Sequence, residues 1–107
     1  MIVIDLYFND ETEYLEKFTV KGHAGYEARG KDIVCAAVSC LTVATVNALQ
    51  GRYRVDLIQN EGFISCSIQC PDVASNLITS AFREGAYALT THEQYKDYVK
   101  LHRHYLE

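Results

Sequence analysis

The sequence predicts an α+β fold, a two-layer domain in which two helices cover one face of a β-sheet of four to five strands. Two pairs of short segments show the alternation of apolar and polar residues that is typical of strands. Each pair is followed by a long segment with apolar residues at helical spacing. The order is ββαββα, with a last segment that can be a further β. Such alternation is typical of a sheet covered on one side, and 107 residues have room for a single domain, 1–107.

The first two strands are predicted to form a hairpin. Apolar side chains occupy every second position of residues 2–8, which is the pattern of a strand with one buried face. Asn9 and Asp10 form a turn signal. Residues 14–21 alternate again, so we expect them to pair with the first strand.

A loop and a long helix follow the hairpin. Residues 22–31 contain three glycines and have neither helix nor strand period, which predicts a mobile surface loop. Asp32 suits a helix N-cap, and Gly51 suits the left-handed position after a helix that spans 33–50. No charged residue lies within this helix. A sheet covers only one side of a helix, so we expect a second subunit to cover the rest, in a homodimer.

The second half repeats the pattern of the first. Residues 53–58 and 62–70 predict another hairpin, turned at residues 59–61. A second helix begins at Asp72. Its spacing predicts an apolar side with Val73, Leu77, Ala81 and Ala88 on one face and Ile78, Phe82 and Leu89 beside them. Residues 98–106 alternate only in part, so this segment fits either an edge strand or a continued helix.

Composition excludes several classes of protein. A net charge of −4 lacks the basic surface of a general nucleic-acid binder. The first residues show no secretory signal, so we expect a reducing, cytoplasmic location in which cysteines stay free. The longest uncharged run, residues 33–51, contains hydroxyl and amide side chains and suits a buried helix better than a membrane span.

The cysteine spacing argues against a metal centre. The chain lacks the C-x2-C pair that zinc sites usually contain, so no metal or other cofactor is expected. Cys40, Cys66 and Cys70 are instead predicted to be small buried core residues.

The candidate chemistry lies in residues 22–39. Cys35 falls in the first turn of the predicted helix, where the partial positive charge of the helix start favours a thiolate. His23 follows the second strand, and strand ends and helix starts meet at one rim of a two-layer domain. Its imidazole can take the thiol proton and return it to a leaving amine. The backbone N–H groups of the first helical turn are expected to hold the oxyanion.

The residues alone leave alternatives open. A single cysteine in an apolar helix is often a buried structural residue, and a single histidine in a glycine-rich loop is often only solvated. Asp32 can serve as a helix cap or as a third catalytic residue. A metal-binding or thiol redox protein is a further alternative.

The motif Gly22-His23-Ala24, followed by Gly30-x-Asp32-Ile33-Val34-Cys35-Ala36-Ala37-Val38-Ser39, resembles the ribosomal-processing cysteine protease family Prp. That resemblance implies a small α/β dimer that removes a short N-terminal extension from a large-subunit ribosomal protein. It implies a catalytic dyad of His23 and Cys35, supported by Asp32 and Ser39. It also implies a mobile substrate loop that contains Gly22, Ala24, Gly25 and Gly30. The alternative within the same fold is a non-catalytic adaptor that associates with the ribosome.

Overall fold

The central sheet has five strands. A computed structural model of the chain describes residues 1–28 and 30–107. Its elements in chain order are β1 Ile2–Asn9, β2 Leu15–Lys21, α1 Ile33–Gln50, β3 Val55–Asn60, β4 Phe63–Ile68, α2 Val73–Thr91 and β5 Val99–Leu106. The strands lie side by side in the order β3-β4-β2-β1-β5. The predicted α+β fold is confirmed, and the C-terminal segment is its fifth strand.

β1 lies between two other strands and contributes a row of side chains to the core. It pairs antiparallel with β2 and parallel with β5. The inward side chains Ile2, Ile4, Leu6 and Phe8 are at most 7% exposed, whereas the residues between them are half-buried. The strict alternation that predicted a one-sided strand is therefore the pattern that packs the sheet against the helices.

α1 lies against the sheet with a strip of aliphatic and threonine side chains. The side chains of Val34, Val38 and Leu49 are almost completely buried from solvent. The buried hydroxyls of Thr42 and Thr45 donate to carbonyls one turn earlier, so they are satisfied inside the core. These contacts identify α1 as the core helix of the domain.

Gly51 does not adopt the left-handed conformation predicted for it. Its φ of −71° is right-handed, and its N–H group donates to Asn47 at the end of α1. The chain then forms a tight turn, in which the N–H groups of Arg52 and Tyr53 both donate to the Leu49 carbonyl. These bonds satisfy the last carbonyls of the helix, so no left-handed residue is required.

The apolar side predicted for α2 is wrong for its first four residues and right for the three beside them. Val73 is 69% exposed and Leu77 is 73% exposed, and Ala81 and Ala88 are exposed as well. Phe82 is buried as predicted, and Ile78 and Leu89 pack against the core. The helix also buries Ser75, Thr79 and Ala86.

Two contacts set the rotation of α2. A capping box joins Asp72 and Ser75, which fixes the first turn with Ser75 pointing inward. Phe82 packs on Phe18 of β2, with ring centroids 4.6 Å apart. Ser75 and Thr79 can be buried because their hydroxyls donate to carbonyls three residues earlier.

Two of the three cysteines predicted as core residues are on the surface. Cys40 lies on the outer side of α1, and Cys70 follows β4 in a left-handed turn with φ of 53°. Only Cys66 is buried, and burial raises the pKa of its thiol to about 11. Cys66 therefore stays protonated near neutral pH and is a poor nucleophile.

Candidate active site

Cys35 is the third residue of α1 and is half-buried at the rim of the domain. The backbone N–H of Ala24 donates to its Sγ at 3.2 Å. The thiol therefore faces the segment that follows β2, as the sequence predicted from the meeting of a strand end and a helix start.

His23 is brought to this rim by a tight turn at Gly22. Gly22 has φ of +91°, and a Cβ at this position would lie 2.3 Å from the carbonyl oxygen of Met1. Both the backbone conformation and the space require glycine here. The turn places the exposed His23 side chain outside the sheet, on the side where α1 begins.

His23, Cys35 and Ser39 together line two adjoining clefts. The first, of about 220 Å³, lies between α1 and the turn of the β3–β4 hairpin. The second, of about 490 Å³, lies on the side of the loop and is also lined by Gly25 and Gly30. No hydrogen bond joins the His23 ring to Cys35 among the residues that the structure describes. The catalytic roles of these residues stay predictions.

Asp32 fixes the start of α1 and the loop at the same time. Its Oδ1 accepts the N–H groups of Val34 and Cys35, both at 3.0 Å. Its Oδ2 accepts those of Tyr26 and Glu27, at 2.9 and 3.2 Å. Burial alone would raise the pKa of Asp32, but the four backbone donors outweigh it and hold the pKa below its ordinary value. Both oxygens thus accept backbone N–H groups, which is the geometry of a helix cap, and a role of Asp32 as third catalytic residue stays a prediction.

The same bonds engage three of the N–H groups that were predicted to hold the oxyanion, and that role stays a prediction. The N–H groups of Val34 and Cys35 point at the Asp32 carboxylate, and that of Ala36 donates to the Asp32 carbonyl at 3.0 Å. Because the capping residue is itself acidic and buried, it occupies the donors that would otherwise face a substrate.

The loop after Gly22 is anchored over its first half. Ala24 is only 3% exposed. The ring of Tyr26 packs edge-on against Tyr95 and Tyr98, with centroids 5.4 and 5.0 Å away. Gly25 and Gly30 are exposed and face open space. Mobility of the loop therefore stays a prediction for its outer residues. Arg29 lies outside the described residues.

The sequence did not predict that the turn of the β3–β4 hairpin contacts the site. Lys21 pairs with Phe63, so the turn before β4 lies beside the segment after β2. The Gly62 carbonyl accepts the Gly22 N–H at 2.9 Å. A Cβ at Gly62 would lie 3.4 Å from Nε2 of His23. The predicted turn, residues 59–61, did not include Gly62. The signal in the sequence is the glycine itself, because its φ of +71° is a conformation that favours glycine in turns.

No site for a metal ion emerges from the described part of the chain. Within residues 1–28 and 30–107, no group of three or more His, Cys, Asp or Glu side chains is placed to bind one. The groups present at the rim include the Cys35 thiol, the His23 imidazole and the Ala24 N–H.

Comparisons with known proteins agree with this arrangement. A family model described as cysteine protease Prp matches residues 1–100. No curated protein matches the chain significantly.

Solved structures match over nearly the whole chain. An essential ribosomal processing protease Prp from S. aureus, with a covalently linked product peptide, superposes with a TM-score of 0.87 at 26% identity, covering 96% of this chain and 99% of that one. The same S. aureus enzyme with a substrate peptide gives 0.82 at 25% identity and the same coverage. A Streptococcus mutans protein gives 0.82 at 29% identity, covering 99% of both chains.

Proposed function

Because this chain belongs to the cysteine protease Prp family, we propose that it is a ribosomal processing protease that removes a short N-terminal extension from a large-subunit ribosomal protein. As a member of the family it is a cysteine protease. The observation that carries the finer proposal is the match to an S. aureus ribosomal processing protease that holds its peptide product covalently. The protein acts in the cytoplasm, where ribosomal subunits are assembled.

The proposed reaction uses Cys35 and His23. His23 takes the thiol proton, and the Cys35 sulfur attacks the scissile carbonyl carbon, so a C–S bond forms and the carbonyl π pair moves to oxygen. When that pair returns, the C–N bond breaks, and His23 gives its proton to the departing amine. Water then hydrolyses the thioester and restores the thiol. No cofactor is needed.

The cleft between α1 and the β3–β4 hairpin is the proposed binding site for the residues of the peptide next to the scissile bond. Its wall is mainly apolar and is formed by Val20, Val38, Val43, Phe63 and Ile64, next to Cys35. Such a wall favours a bulky apolar side chain of an extended peptide. Ser39 lies one turn after Cys35 on the same helix face and lines both clefts. We assign it to substrate positioning.

Incubation with a synthetic peptide tests this function. A peptide that spans the N-terminal extension of the ribosomal protein and the first mature residues should be cut at one bond, as mass spectrometry of the products reports. A peptide of the same composition in scrambled order is the control and should stay intact. Absence of cleavage of the authentic peptide, together with absence of processing of the full-length precursor, would contradict the proposed substrate.

The adaptor alternative makes a different prediction from the same experiment. An adaptor would bind the extension peptide without cutting it, whereas a protease releases two fragments. Membership of a cysteine protease family favours cleavage.

We further propose that the protein is a homodimer through the outer face of α1. This face presents Ile33, which is 53% exposed, and the exposed Cys40 and Ala44. Their spacing places them on one side of a helix that has no charged residue. The length and mean hydropathy of 1.8 of α1 would also permit a membrane span. Core helices of water-soluble proteins pass the same criterion, and α1 buries its inner side in this core. A second copy of the chain is therefore the occupant that we propose.

Sedimentation velocity at micromolar concentration tests the dimer. Wild-type protein should sediment as a dimer, and the Ala44→Asp variant should shift toward monomer because a carboxylate would be buried in an apolar interface. Ala44 is exposed and lines neither cleft, so its replacement leaves the site intact. A monomeric wild-type protein would contradict the proposal.

A further inference from the structure

We propose that the backbone N–H of Ala24 is a catalytic group, which donates to the Cys35 sulfur in the free enzyme and to the oxyanion during peptide cleavage. The inference rests on the proposed use of Cys35 as nucleophile. It assigns the oxyanion donor to the segment after β2, and not to the start of α1.

The Ala24 N–H group is already in contact with the proposed nucleophile. It donates to Sγ at 3.2 Å in the free enzyme. In the tetrahedral intermediate the oxyanion is two bonds from Sγ, so it forms within the immediate surroundings of the sulfur. A donor that already touches Sγ needs only a small shift of the acceptor to reach the about 2.7–3.1 Å typical of oxyanion holes.

The donors nearest to Cys35 within α1 already have other acceptors. The Cys35 N–H and the Val34 N–H both donate to Oδ1 of Asp32, at 3.0 Å. The Ala36 N–H completes the first backbone bond of the helix. If any of these N–H groups donated to the oxyanion instead, the buried Asp32 carboxylate would lose a hydrogen bond or the first helical turn would lose its backbone bond. The Ala24 N–H is part of neither the helix cap nor the helical turn, since its partner is the reacting sulfur itself.

The Ala24 N–H group is held in place before substrate arrives. The Ala24 side chain is buried in the core at 3% exposure. On one side, the Gly22 N–H is bonded to the Gly62 carbonyl at 2.9 Å. On the other, the Tyr26 N–H is bonded to Asp32 at 2.9 Å. Donors that are fixed in advance stabilise developing charge without a reorganisation cost.

The hydrogen bond of the Ala24 N–H follows the negative charge through the proposed step. The Cys35 sulfur forms a bond to the carbonyl carbon, and the π electrons become the lone pair of an oxyanion. The Ala24 N–H moves its hydrogen bond from sulfur, which loses its negative charge, to that oxygen, which gains it. No proton leaves Ala24, and the bond returns to sulfur when the thioester is hydrolysed.

A backbone ester at position 24 tests the proposal. Replacement of Ala24 by lactic acid, through semisynthesis or nonsense suppression, exchanges the N–H group for oxygen and keeps the methyl side chain. Ala28 offers a matched control, because it is an exposed alanine of the same loop, and its N–H is not bonded to Sγ. Two rates are measured for each protein, namely kcat/KM for the extension peptide and the rate of Cys35 alkylation by iodoacetamide.

We expect the ester at 24 to lower kcat/KM by about 10²–10³-fold, which is the loss typical of one oxyanion donor. Alkylation should fall much less, since displacement of iodide creates no oxyanion. The ester at 28 should leave both rates near those of the wild type. Equal losses of cleavage and alkylation would overturn the oxyanion role, and so would unchanged cleavage. Wild-type cleavage in the same experiment separates this outcome from a failure of the proposed function.

A second measurement covers the case in which the ester at 24 does not fold. A peptide aldehyde of the same sequence forms a hemithioacetal with Cys35 and places an oxygen where the oxyanion develops. The Ala24 amide proton of ¹⁵N-labelled wild-type protein should then shift downfield, as expected for a stronger hydrogen bond. An unchanged Ala24 resonance in the aldehyde complex would overturn the proposal.

Discussion

Replacement of Cys35 by alanine is expected to abolish cleavage of the extension peptide, with kcat reduced by at least about 10⁴-fold, since the variant lacks the atom that forms the thioester. The His23→Ala variant should lose about 10²–10⁴-fold, the usual contribution of a general acid–base. Both are measured as initial rates of fragment release. The variants should still bind the peptide, because the apolar wall of the cleft is unchanged.

Cys40→Ala is the matched control for this experiment. Cys40 is an exposed free cysteine of the same helix, five residues after Cys35, and it lines neither cleft. Its replacement should leave kcat/KM unchanged. Full cleavage by Cys35→Ala would show that another group attacks the peptide. Loss of cooperative thermal unfolding in His23→Ala would show instead that the imidazole is a structural residue, which its exposure argues against.

Periodicity predicted the elements of this fold well where one face of an element is strictly apolar. β1 shows why, because every second side chain is buried and the residues between them are half-buried. A strand of this kind has only one register that buries its apolar side. The limits of α1 were also predictable, since Asp32 can satisfy the first N–H groups and no other residue nearby can do so as well.

The orientation of α2 was not predictable from the same rule. The rule places Val73 and Leu77 inward because they are apolar, yet both face solvent. Ser75 and Thr79 replace them in the core because each hydroxyl finds a carbonyl within its own helix. A hydropathy scale assumes that burial of a hydroxyl is unfavourable. A hydrogen bond to a nearby carbonyl offsets most of that unfavourable free energy.

The site itself was predictable in part. The sequence brings His23 and Cys35 to one rim because each is adjacent to the end of a regular element. The contact of Gly62 with His23 depends on the pairing of β4 with β2, a long-range feature that no local pattern encodes. The role of Ala24 is equally hidden, since its N–H group and not its side chain meets the sulfur.

The second large effect is expected for Asp32→Ala, which removes the acceptor of four backbone N–H groups. Loss of the helix cap should lower the free energy of unfolding by about 1–2 kcal/mol. The loop should also lose its bond to the start of α1, so the donor at Ala24 would no longer be held against Sγ. We expect kcat/KM to fall by about 10²-fold, the effect of a small misplacement of catalytic groups. Urea unfolding and peptide cleavage measure the two effects separately.

Asp72→Ala provides the matched control for Asp32→Ala. Asp72 is the N-cap of α2 and accepts the Ser75 N–H at 2.9 Å and the Tyr53 hydroxyl at 2.6 Å. Its removal should lower the melting temperature without a change in kcat/KM for the folded enzyme, because it lines neither cleft. Equal losses of activity in both variants would mean that Asp32 acts only through global stability.

The pH dependence of stability gives Asp32 a second signature. Its folded-state pKa lies below the ordinary value of 3.8 because the backbone N–H groups favour the carboxylate. The unfolded chain therefore binds the proton more readily, and the stabilisation by Asp32 is complete above the unfolded pKa. It is lost as the pH falls below 4 through the folded pKa. The difference in unfolding free energy between wild type and Asp32→Ala should thus be constant from pH 5 to 7 and shrink in acid. A difference that grew on acidification would contradict the assignment of Asp32 as an ionised cap.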